Sequence, residues 1–97
     1  VIELVFFEGC PNVDRARAAL RAALSALGRP AVWTEWELDK SGVPERIQGY
    51  GSPTVLVDGR DVRGSTPSPA VLGPTCRGDG PPSADEIRRA VANSGQT

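Results

Sequence analysis

An apolar run from Val1 to Phe7, interrupted only by Glu3, breaks at Gly9-Cys10-Pro11 and gives way to a helical stripe. A short run of that kind reads as a buried strand. Pro11 suits the first turn of a helix, where its missing N–H is not needed. Val13, Ala16, Leu20, Ala23, Leu24 and Leu27 recur at helical spacing, while Asp14, Arg15, Arg17, Arg21 and Ser25 fall largely elsewhere. Gly28 and Pro30 predict the stop. The break therefore puts Cys10 at a strand-to-helix junction, exposed at the helix tip. There the positive end of the helix dipole and unpaired backbone N–H groups favour a thiolate.

Beyond the helix, Ala31 to Asp39 alternates, with Val32, Thr34, Trp36 and Leu38 on one side and Trp33, Glu35 and Glu37 on the other. That predicts a strand with one wetter face, Trp36 in the core and Trp33 under a helix or at an edge. The arginines of the first helix read as a solvated face. Strand, helix and strand in direct succession favour a parallel pair joined by a right-handed crossover. Ser41 to Gln48 reads as a short helix, with Pro44 near its start and Gly49 after it. Thr54 to Val57 predicts a strand ending in the turn pair Asp58-Gly59, with Arg60 to Arg63 returning antiparallel.

Residues 64–82 are rich in proline, glycine and hydroxyl side chains, which predicts an irregular loop, and Cys76 lies within it. Ser83-Ala84-Asp85-Glu86 matches a capping box ahead of a last helix whose apolar face carries Ile87 and Val91. A polar tail over 94–97 follows. With no repeat and no linker, residues 1–97 are expected to form a single α/β domain. Its order is β-α-β-(short α)-β-β-α, with a central mixed sheet flanked by helices.

What the chain lacks narrows its chemistry. It has no histidine and no methionine, and its two cysteines are too few for a four-thiolate zinc site or an iron–sulfur cluster. Imidazole bases, Cys–His pairs and thioether copper sites are thereby excluded. A formal net charge of −1 disfavours nucleic acid as a partner. The glycine-rich stretches lack the spacing of a phosphate-binding loop. The apolar opening is too short to span a bilayer and lacks the charged region that precedes a signal sequence, so no membrane partner is expected and the cytoplasm is the default.

The segments Phe7-Glu8-Gly9-Cys10-Pro11-Asn12 and Gly51-Ser52-Pro53-Thr54, set in this element order, resemble the thioredoxin-like superfamily. The chain most resembles small single-domain members with a Gly-Cys-Pro-Asn opening and a Gly-Ser-Pro-Thr strand, some of them described as alkylmercury lyase-like. The resemblance covers most of the chain by element order, but its specific content lies in these two segments. It implies that Cys10 takes the place of the attacking cysteine of a Cys-x-x-Cys motif and that Pro53 is a cis-proline facing it. Pro11, Asn12, Ser52 and Thr54 become candidate substrate-binding residues, although a structural role is the simpler one for Thr54. A cis Pro53 is expected to hold the Ser52 backbone exposed, ready to pair with an extended substrate. The chain departs from the pattern at Val13, which stands where the second motif cysteine would be.

Three functions remain open. In the first, the protein is a thiol–disulfide oxidoreductase or reductant, with Cys10 and Cys76 as catalytic residues and Pro53 as the substrate wall. Cys10 attacks a disulfide of a protein or small molecule, and Cys76 is an incidental loop thiol or the resolving thiol that releases the product. Resolution requires the two Cα atoms to approach within roughly 5.5–6 Å. The poised thiol is expected to alkylate well below the pH of about 8.5 at which a free thiol ionises. In the second, Cys10 and Cys76 bind Hg(II) or another soft metal ion, with Asp14 or Glu8 as proton donor. The third is a non-catalytic peptide-binding module. No cofactor is expected in the first and third.

Overall fold

Leu4 and Val5 point to opposite sides of one strand and both are wholly buried, so their sheet is covered on two faces. A computed structural model describes residues 2–7, 9–38, 42–64 and 81–94. Its elements in chain order are β1 (Ile2–Phe6), α1 (Val13–Ala26), β2 (Thr34–Glu37), β3 (Thr54–Val57), β4 (Arg60–Asp61) and α2 (Ala84–Ser94). The strands form a mixed sheet in the order β2-β1-β3-β4. β1 runs parallel to β2 across the α1 crossover and antiparallel to β3, and β3 is antiparallel to β4.

The register sorts side chains by face. Leu4 lies opposite Val55 and Ile2 opposite Val57. This side of the sheet packs against Val13, Ala16, Leu20 and Ala23 of α1 and Ile87 and Val91 of α2. Each fully buried valine, leucine or isoleucine among them stabilises the fold by about 1.5–3 kcal/mol relative to exposure. Val5 and Leu56 face the other way, onto Ile47 and Tyr50 with Trp36, Leu38 and Val43 around them. Among the described residues both helices therefore pack on one side. The other side is covered by the 42–50 segment, which corrects the expectation of a sheet flanked by helices.

The helix ends follow local chemistry. Gly28 adopts φ +67°, and the Gly28 N–H to Ser25 and Arg29 N–H to Leu24 bonds close α1 in a Schellman motif. α2 opens with the expected capping box: Glu86 N–H donates to Ser83 Oγ at 3.1 Å and Ser83 N–H to Glu86 Oε1 at 2.9 Å.

Three boundaries differ from the sequence-based expectation. The short helix is instead a run of turns: Ile47 N–H bonds Pro44 O and Gln48 N–H bonds Glu45 O, three residues back. Gly49 ends that run before the next helical bond forms, and the segment inserts Ile47 and Tyr50 under the sheet. β2 starts at Thr34, because Val32 N–H turns back to Pro30 O and leaves Val32 72% exposed. β4 ends at Asp61, whose Oδ1 accepts the Arg63 N–H while its carbonyl accepts the Gly64 N–H. Most of the 64–82 loop, Cys76 included, and the end of the tail lie outside the described residues.

Candidate functional site

The break after β1 is a compact chain reversal. Gly9 takes φ +95°, Cys10 N–H reaches Phe7 O at 3.3 Å, and Val13 N–H reaches Cys10 O at 3.3 Å. The N-cap of α1 is Asn12, whose carbonyl accepts the first bond of the helix, from Ala16 N–H at 3.0 Å. Pro11 and Asn12 therefore belong to the turn that leads into the helix, and Cys10 stands two residues ahead of the cap. This corrects the expected place of Pro11 in the first helical turn.

Cys10 is buried rather than displayed, at 7% exposure, and packs with Leu4, Val13 and Ala16. The Gly9 reversal turns it inward, where its Sγ–H donates to the Ser52 carbonyl at 3.7 Å. Ser52 Oγ accepts the Phe7 N–H at 3.2 Å, so one residue holds both sides of the chain break. The Ser52–Pro53 peptide bond is cis. Ser52, Pro53 and Thr54 are fully buried, and Thr54 Oγ1 donates to Gly51 O at 2.7 Å. The expected exposed Ser52 backbone is thus not found, since its carbonyl faces Cys10. Pro53 and Thr54 lie in the interior rather than at a surface groove. Of the four candidate substrate-binding residues, Pro11 is exposed and Asn12 half-buried.

A cavity of about 460 Å³ opens beside the sulfur. Phe6, Phe7 and Val13 give it apolar walls, and Asp14, Arg17 and Glu37 give it a polar rim next to Gly9 and Cys10. Arg17 is held on every side. Its Nε and Nη2 grip Glu35 at 2.9 and 3.0 Å, its Nη1 meets Asp14 at 3.1 Å, and its guanidinium lies 5.1 Å from the centre of the Phe6 ring. The Arg17 hydrogen bond holds Glu35 below its ordinary pKa, helped by Trp33 Nε1 and partly opposed by burial. Arg17 is therefore a fixed wall of the cavity whose charge two carboxylates balance, not part of a solvated face.

The structure thus brings Cys10 and Asp14 to one pocket, while Ser52, bonded to Cys10 through its carbonyl, lies with Pro53 and Thr54 in the interior behind it. Phe6, Phe7, Glu35 and Glu37 were missed from the sequence. No sequence signal marked Glu35: its place opposite Leu4, on the helix side of the sheet, follows from the strand register alone. Asp14, the candidate proton donor, is 93% exposed at the rim. No three His, Cys, Asp or Glu side chains converge as metal ligands among the described residues. No described helix is long and apolar enough to cross a membrane. Compared with known proteins, the chain matches no family model, no curated protein and no solved structure.

Proposed function

We propose that this chain is a thioredoxin-like thiol protein in which Cys10 exchanges with disulfides. The observation that carries this reading is Cys10 on the wall of a cavity lined by both apolar and charged side chains, its sulfur hydrogen-bonded to the carbonyl that precedes a cis-proline. The mixed sheet with its parallel β1–β2 crossover and β3–β4 hairpin supports the same relationship.

The chemistry runs in two exchanges. Cys10 gives up its proton to solvent at the cavity mouth, and the thiolate attacks one sulfur of the substrate disulfide. The substrate S–S bond breaks, its other sulfur leaves as a thiolate and takes a proton, and a mixed disulfide with Cys10 remains. A second thiol, from Cys76 or from solution, then attacks Cys10 Sγ and releases the bound half. Overall the substrate disulfide is reduced to two thiols and two thiols are oxidised to one disulfide. The buried sulfur and the cavity's volume favour a small-molecule disulfide or a single protruding cystine over a broad protein surface.

Incubation with hydroxyethyl disulfide followed by intact-mass measurement tests this. The expected product is one adduct at Cys10 that Cys10→Ser abolishes. If Cys76 resolves, the adduct is transient in the natural chain and persists in Cys76→Ser. A folded protein whose Cys10 forms no adduct, although the urea-unfolded chain does, would overturn the proposal. Mercury titration separates the alternative: one Hg(II) per chain that needs both thiols marks a soft-metal site instead.

A further inference from the structure

We infer that the cleft between the β3–β4 hairpin and α2 binds a small amphipathic oxyanion, a carboxylate or phosphate monoester carrying an apolar group. The cleft encloses about 990 Å³, at the upper end of small-molecule sites. Arg60 pairs with Val57 across the hairpin, so both project to the same side of the sheet, where Val57 joins Ile87 and Val91 in the core. That arrangement brings the exposed Arg60 into the same cleft as Arg89 and Asn93, which lie one turn apart on α2. Among the described residues neither Arg60 nor Arg89 has a carboxylate partner.

The acidic groups in the wall are mostly committed. Glu86 is gripped by Arg63 through Nε at 3.1 Å and Nη2 at 3.1 Å, and also accepts the Ser83 N–H. Asp61 is buried and accepts the Arg63 N–H. Arg63 in turn donates to Pro81 O at 3.0 Å, and its charge is offset by that of Glu86. Two guanidiniums are left facing a shared space, with Val62 and Ala90 as apolar lining. Guanidinium pairs match the planar, bidentate geometry of carboxylate and phosphate oxygens. The exposed Asp58 at the hairpin turn and the buried Asp61 are the opposing charges.

Phenyl phosphate is the probe, followed by amide chemical shifts at low ionic strength. Shifts are expected at Arg60, Val62, Arg89 and Asn93 on millimolar addition. The double substitution Arg60→Gln/Arg89→Gln should weaken binding at least about tenfold, the loss expected for charge-assisted hydrogen bonds. Its unfolding midpoint should not move. Asp58→Asn should tighten binding, and Cys10→Ser should leave it unchanged, which separates this cleft from the thiol site. No shifts at these residues, undiminished binding by the double variant, or equal affinity for inorganic phosphate would each overturn the inference.

Discussion

The contact from Cys10 Sγ to the Ser52 carbonyl requires the proton on sulfur, because a thiolate there would meet another partial negative charge. In the proposed exchange, attack would therefore begin with the sulfur leaving the Ser52 carbonyl. Gly9 is what sets this geometry: at φ +95° nothing stands within 4 Å of where a Cβ would be, so substitution is opposed by backbone conformation alone. Gly9→Ala should cost roughly 1–2 kcal/mol in urea unfolding and shift the alkylation rate of Cys10. Ser52→Ala should cost about 1 kcal/mol by leaving the Phe7 N–H without its acceptor. Cys10, Ser52 and Pro53 were legible as a cluster from their motifs. Their burial was not, since it depends on which way a glycine turns the chain and on what packs above it.

Among the elements, the least legible was the cover of the second face. Glu3 reads in sequence as a polar interruption of an apolar strand. In the structure its carboxylate is 3% exposed and accepts from Arg46 Nη1 at 3.1 Å, Arg46 Nη2 at 2.7 Å and Trp36 Nε1 at 2.7 Å. The bond from Arg46, more than the one from Trp36, holds Glu3 below its ordinary pKa against the opposing effect of burial. A turn segment and an edge strand are thereby tied to the centre of the sheet. Glu3→Gln should cost about 1–3 kcal/mol in chemical denaturation, since a donor replaces an acceptor in a buried site. The last helix was far more legible, because its start is decided within four residues. Ser83→Ala should remove about 1 kcal/mol, seen as a lower unfolding midpoint with unchanged m-value.

For the molecule as a whole, three carboxylates among the described residues tie stability to pH. Glu3 is held below its ordinary pKa chiefly by Arg46, Glu35 by Arg17, and Glu86 by the Ser83 N–H and then Arg63. Each has a lower pKa folded than unfolded. Their contribution is therefore complete above the unfolded value of about 4.3 and is lost as pH falls through the depressed folded values. Urea midpoints should stay level from neutral pH to about pH 5 and fall below it, with a shallower fall in Glu3→Gln. A midpoint that rises on acidification contradicts this assignment.

The sequence by itself determined what is local. The α1 stripe, the Gly28 stop, the Asp58-Gly59 hairpin and the Ser83–Glu86 box are each settled by residues a turn or less apart, so spacing alone encodes them. Only the tertiary structure decided that Cys10 faces inward to Ser52, that Arg17 is balanced by Glu35, and that Glu3 finds Arg46. Those partners lie 42, 18 and 43 residues apart in the chain and meet only once the sheet has formed. Their pairing reflects the whole register and packing of the sheet, which no short window of sequence contains.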